Sequence, residues 1–162
     1  MVRDGEEISL EPMTQPEFDV WLPEAIAGYA QEHVLDGRWS EEEALDKSRA
    51  EHEQLLPQGL ATPDNNLWTI TRLSDRARVG LLWVHLAKTP KPHVFVYNIE
   101  IHPDFRRRGY AEAAMTMLED EARRMGAESI RLHVFGNNAA ARPLYEKLGY
   151  SPTNILMAKT LA

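Results

Sequence analysis

A chain of 162 residues, 43% apolar and 27% charged, is long enough to bury one substantial core and too short for two ordinary domains. Eighteen Lys and Arg against twenty-five Asp and Glu leave a formal charge of −7, so a nucleic acid is not the expected partner. The lack of cysteine removes disulfide frameworks, thiolate metal sites and cysteine nucleophiles in one step.

The N-terminal stretch carries Arg3, Asp4, Glu6 and Glu7 and does not read as a signal peptide. The longest strongly apolar run, Val79 to Ala87, is only about half a membrane span and contains Gly80 and His85. The expectation is one cytoplasmic domain over residues 1–162, with no membrane association.

Ile8 to Glu11 is a candidate strand closed by Pro12. Thr14, Pro16 and Glu17 then open a helix to about His33, with Phe18, Trp21, Leu22, Ala25, Ile26 and Tyr29 at helical spacing. Ser40 and Glu43 repeat the capping pattern for a charged surface helix ending near Leu56. Past the turn-forming Pro57 to Asn66 region, Leu67 to Leu73 and Val79 to Leu86 read as an antiparallel hairpin. Val94 to Ile101, β-branched and aromatic, reads as a buried central strand that stops at His102-Pro103. Ala114, Met117, Leu118, Ala122 and Met125 mark one face of a helix from Gly109 to Met125, with Gly126 as its left-handed stop. Ser129 to Phe135 is strand-like and should pair in parallel with the central strand across that helix. A short helix ends at Gly149, and Pro143 fits it only if regular helix starts near Arg142. Tyr150 to Leu161 is expected to return as a terminal strand or bent hairpin, and exposed terminal strands leave room for a homodimer.

The segment Arg106-Arg107-Arg108-Gly109-Tyr110-Ala111 lies between a proline-terminated strand and a helix start. Unsatisfied amides, a positive dipole end, a glycine that lets a ligand approach the backbone and three guanidinium groups describe a pyrophosphate cradle. As an isolated string it also reads as a solvated basic loop. It lacks the Lys-Ser/Thr pair of a nucleoside-triphosphate loop, and the chain has no Gly-x-Gly-x-x-Gly.

Arg-x-x-Gly-x-Ala after a strand, a long helix, and then Asn138-x-x-Ala141-x-x-Leu144-Tyr145-Glu146-Lys147-x-Gly149-Tyr150 resembles the GCN5-related N-acetyltransferases (GNAT) over about residues 94–150. The resemblance implies an α/β (α+β) fold: a mixed, strongly twisted central sheet flanked by helices, in the order βααββ-βαβα-β, with a splayed central strand pair. It implies an acyl-coenzyme A-dependent N-acetyltransferase that moves acetyl from acetyl-coenzyme A to a primary amine of a small molecule or peptide by direct attack. The pantetheine arm would bond the backbone of Ile99, Glu100 and Ile101. The pyrophosphate would rest on Arg106, Arg107, Arg108, Gly109, Tyr110 and Ala111, with Glu112 and Ala113 continuing the turn and Asn138 on the pantetheine side. Tyr145 matches the family's general-acid position beside the coenzyme, where a phenol protonates the leaving thiolate.

The base that deprotonates the incoming ammonium stays open between Glu100, His133 and an ordered water, because strand alternation decides which side chain enters the cleft and a one-residue shift reverses the answer. The resemblance implies that the acceptor enters from the side formed by the first two helices, the central strand and the C-terminal hairpin, which makes Tyr29, Trp83 and Asn98 the acceptor-contact candidates, and aromatic side chains in an acidic chain suit a cationic amine. The scattered histidines have no ligand spacing, so no metal is expected. Two other readings remain at this stage: an acyl-coenzyme A-binding module with little turnover, and a nucleic-acid contact through the arginines, against which the net charge speaks.

Overall fold

The computed structural model describes residues 6–134 and 138–162. Strand β1 (Ile8–Pro12) leads through Met13 and Thr14 into α1 (Gln15–Leu35), and α2 (Glu41–Leu55) follows. Strands β2 (Asn65–Arg72), β3 (Arg78–Ala87) and β4 (His93–Ile101) come next, then α3 (Tyr110–Arg124), β5 (Ser129–Leu132) and α4 (Ala141–Lys147). The five strands form one sheet in sequential order, antiparallel from β1 to β4 and parallel between β4 and β5. A mixed sheet with helices on both faces is the expected fold class.

The caps follow the residue chemistry. The Thr14 hydroxyl accepts from the Glu17 amide at 3.4 Å. Ser40 and Glu43 close a reciprocal box, each backbone amide donating to the other's side chain. Alternation along the strands then sorts two cores. Ile8, Trp68, Ile70, Leu82, Val84, Val94 and Val96 pack with Ala114, Met115 and Leu118 of α3. On the opposite face, Leu67, Leu81 and Trp83 pack with Phe18 and Trp21 of α1. The surface helix α2 buries one row, Ala44, Ser48 and His52, and the Ser48 hydroxyl donates to the Ile26 carbonyl of α1 at 2.6 Å.

Two irregularities position the site. Asn98 pairs with Trp83 and Val96 with Val84, which leaves Tyr97 as an extra residue in β4. That bulge resets the alternation: Phe95 and Tyr97 face the α1/α2 side, and so do Asn98 and Glu100, while Ile99 and Ile101 join the α3 core. The parallel pairing of β4 with β5 ends at Val96–Leu132, so among the described residues Tyr97–Ile101 have no β5 partner. The two strands part there, as a splayed pair requires.

Three expectations need correction. Strand β5 stops at Leu132 instead of reaching Phe135, which lies outside the described residues. The central strand is buried only in its first half, at Val94 and Val96. Tyr97 and Glu100 are exposed because the sheet opens there. No terminal strand forms between Tyr150 and Leu161: residues 151–162 are exposed and unpaired, with Ile155, Leu156 and Met157 at 74–85% exposure. Pro152 interrupts pairing at the start of that segment, and Leu156, Met157, Ala158 and Lys159 have weak strand preference and no alternation.

Candidate active site

The β4–β5 parting opens into a cleft of about 1070 Å³. Its walls come from α1, α2, β3, β4, the loop before α3, the start of α3, and α4. Of the residues singled out in the sequence, Ile99, Glu100, Ile101, Arg106, Arg107, Gly109, Tyr110, Ala111, Glu112, Asn138, Tyr145, Tyr29, Trp83 and Asn98 all line this one cleft. Arg108, Ala113 and His133 do not.

One end is built for anions. His102-Pro103 ends β4, Arg107 takes a left-handed φ of 62°, and Gly109, at φ 86°, caps α3. Only glycine adopts that conformation cheaply, and it turns the chain so that the helix starts facing the cleft. The Ala113 amide returns to the Gly109 carbonyl at 3.0 Å, so the amides from Tyr110 to Glu112 have no acceptor inside the helix. Arg106 Nε donates to the Ile101 carbonyl at 2.9 Å, tying the loop to the end of β4. Arg108 turns away toward Glu6, at 3.9 Å.

A side-chain network fixes the helix start. Tyr110 is 1% exposed, and its hydroxyl accepts from Arg72 Nη1 at 3.1 Å. Arg72 also forks onto Asp75, at 2.9 and 2.7 Å, and lies 5.2 Å over the Phe105 ring. The guanidinium beside Asp75 holds its carboxyl down at about 2. Lys147 of α4 reaches Glu112 of α3 at 3.1 Å, which closes the wall that carries Tyr145.

Alpha helix α4 begins at Ala141 with Pro143 as its third residue, which satisfies the proline, while Asn138 lies in an irregular lead-in. Ala141, Leu144 and Tyr145 share its cleft-facing side. Tyr145 packs edge-on to Tyr150 at 5.8 Å, and burial pushes its phenol above the ordinary value.

The other end is aromatic and acidic. Trp83 stacks on Tyr97 at 4.7 Å, and Tyr29 lies 5.6 Å from His52. Desolvation, followed by the hydrogen bond to Glu51, raises the Tyr29 phenol far above its usual range. Glu32 keeps solvent access, yet crowding in the cleft and then the Glu100 charge raise its carboxyl. His133 is exposed just past β5, and His33, whose imidazole is held below its usual value by burial, stacks on Trp39 at 4.0 Å. Sequence reasoning missed Glu24, Gly28, Glu32 and Glu51. The signal was present for α1, where Glu24, Gly28 and Glu32 recur every fourth residue beside the apolar positions Ala25 and Tyr29. Among the described residues no group of metal-ligand type is assembled.

This splayed, mixed-sheet architecture defines an acyltransferase fold, and residues 24–150 match the model of the acetyltransferase (GNAT) family. The chain belongs to that family and is an acyl-coenzyme A-dependent N-acyltransferase. It is 38% identical to the uncharacterized N-acetyltransferase YycN of Bacillus subtilis (strain 168) over 95% of this chain and 99% of YycN. It is 36% identical to the uncharacterized N-acetyltransferase YdgE of the same organism over 94% of this chain and 98% of YdgE. The crystal structure of YycN superposes with a TM-score of 0.90, covering 96% of this chain and 99% of that one. The aminoglycoside N-acetyltransferase AAC(6')-Iy in complex with coenzyme A shares the fold at 14% identity, with a TM-score of 0.62 over 99% of each chain.

Proposed function

We propose that this chain transfers an acetyl group from acetyl-coenzyme A to a primary amine of a small molecule or peptide, by direct attack and without a covalent enzyme intermediate. The observation that carries the reading is a single cleft whose basic, amide-lined end at Arg106, Arg107 and the start of α3 runs into an open strand edge at Ile99–Ile101. Anionic phosphates suit the first part and an amide-bearing arm suits the second. Acetyl-coenzyme A, when bound, supplies the activated acyl group.

Tyr145 is the proposed general acid. Its place in the cleft wall and its raised pKa support this, because a phenol that stays protonated through the neutral range is ready to donate when the carbon–sulfur bond breaks. Glu100 is the proposed base, acting directly or through a water. The bulge at Tyr97 sends its side chain to the acceptor side, whereas His133 is not among the described residues that line the cleft. Glu100 takes one proton from the ammonium, the freed amine attacks the thioester carbonyl, the departing thiolate takes its proton from Tyr145, and the second proton leaving the nitrogen returns to the Tyr145 phenolate, directly or through water. Tyr29, Trp83 and Asn98 would contact the acceptor. The test is amine-dependent thiol release from acetyl-coenzyme A, run beside calorimetric titration of coenzyme A. Binding and turnover with some amine are expected. Tight binding with no amine-dependent release would make the chain an acyl-coenzyme A-binding module, and no binding would overturn the reading.

A further inference from the structure

The charges in the cleft are largely segregated. Arg106 and Arg107 lie at the phosphate end together with Glu112, whose carboxylate Lys147 holds at 3.1 Å, and Glu24, Glu32, Glu51 and Glu100 line the acceptor end. Among the described residues, no Lys or Arg forms an ion pair with any of these four carboxylates. Glu51 bears instead on the Tyr29 phenol, which burial first and then this carboxylate raise above its usual range.

For a monoamine acceptor this arrangement is counterproductive. The amine must lose its proton before it attacks, and each nearby carboxylate favours the charged ammonium. One carboxylate is useful as the base, but the others would only hold the nucleophile in its unreactive form. They become useful when the same molecule carries a second cation that never reacts.

The geometry offers a place for one. Glu24, Gly28 and Glu32 occupy successive turns of α1 on its cleft side, so the two carboxylates lie about 12 Å apart along the helix with a gap between them. A methyl group added at Gly28 would meet nothing within 4 Å. Packing therefore does not require glycine there, and the helix tolerates a residue that costs it about 1 kcal/mol against alanine. What the glycine preserves is open space between two acids. Tyr29 on α1 and Tyr97 on the facing strand, stacked on the buried Trp83, add aromatic surface to the cleft, which attracts a cation further.

Resting on the acetyltransferase reading, we propose that the acceptor is a flexible small amine with at least two cationic nitrogens, one reacting beside Glu100 and the other held along α1 by Glu32 and Glu24 across the Gly28 gap. Acetylation then removes one charge from a polycation, and the weakened hold on the product favours its release.

The test compares pentylamine, cadaverine and spermidine as acceptors with acetyl-coenzyme A, for the parent chain, Glu32→Gln and Glu24→Gln, with coenzyme A binding measured on each. The expected result is a kcat/KM about 10- to 100-fold higher for the two polyamines than for pentylamine, carried in KM. Each glutamine variant should lower that ratio severalfold while it still binds coenzyme A. Equal use of monoamine and diamine, or a ratio unchanged in both variants, overturns the inference and leaves the parent reading standing, since pentylamine turnover reports the chemistry separately. Glu24 and Glu32 are both solvent-exposed, so the two variants read the inference independently on folded protein.

Discussion

Gly80 offers the sharpest test of how the fold holds the reacting strand. It pairs with Ile101 at the cleft end of the β3–β4 ladder. A Cβ built there would overlap the Glu100 carbonyl oxygen outright and lie 3.1 Å from both the Glu100 carbonyl carbon and the Ile101 Cα. All three atoms are backbone, so no rotamer change relieves the clash. Restoring an ordinary carbon–oxygen contact requires the strands to part by about 1 Å. Overpacking of this kind costs about 1–3 kcal/mol, and at about 2–4 °C per kcal/mol for a chain of this size Gly80→Ala should melt several degrees lower. The displaced segment is the one that carries Glu100 and faces the parted edge, so the same shift should lower kcat by up to about 100-fold, as misplacement of a reacting group by about 1 Å does. Thermal melts followed by circular dichroism, run beside thiol-release kinetics on the folded fraction, separate the two effects. A variant with the parent's melting temperature and the parent's kcat would refute the claim that this backbone approach sets the position of Glu100.

Replacing Tyr145 by Phe should lower kcat by about 100-fold with a modest change in coenzyme A affinity, and should remove an alkaline limb that lies above the ordinary tyrosine range, because burial raises this phenol. Unchanged kcat across the pH profile would remove Tyr145 from the acid role. Arg72→Met breaks the link between Asp75, Phe105 and the Tyr110 hydroxyl, so coenzyme A binding measured by calorimetry should weaken while acceptor KM stays close to the parent's. An unaffected dissociation constant would show that the helix start holds its place without this network. Glu32 has a folded-state pKa above its unfolded value, so its penalty on stability is absent at low pH, grows as pH rises through the unfolded pKa, and is complete above the folded one. Glu32→Gln should therefore melt higher than the parent at neutral pH, with the difference shrinking toward about pH 4; a difference that is constant with pH would refute the assignment.

The elements were legible where local chemistry decides them. The caps at Thr14 and Ser40, the proline stop at His102-Pro103 and the glycines at 109 and 126 place helix and strand ends within a residue or two of the structure. The basic, amide-lined end of the cleft, the proposed phosphate site, was legible as a place in the chain for the same reason, since a strand stop, a left-handed glycine and a helix start are contiguous there. The acidic, aromatic end was not, because its residues come from α1, α2, β3 and β4 and meet only through tertiary packing. Glu24 and Glu32 read as solvated helix positions until β4 is placed opposite them. The expected terminal strand does not form, because residues 151–162 lack the alternation that would give a strand one face to bury.

The bulge at Tyr97 is the point at which sequence periodicity stops predicting the site and begins to explain it. Uninterrupted alternation from Val94 would put Tyr97 on the α1/α2 side with Ile99 and Ile101, and would bury Asn98 and Glu100 in the core of α3. A charge placed there without a partner would cost several kcal/mol. One extra residue reverses the second half of the strand, so the two polar side chains meet the cleft and the two isoleucines meet Ala114 and its neighbours. The same extra residue coincides with the end of pairing to β5, immediately after Val96. The bulge on the β3 side thus coincides with the end of pairing on the β5 side and turns Glu100 toward the cleft. The amphipathic pattern of residues 94–101 is consistent with this break in register and with no continuous one.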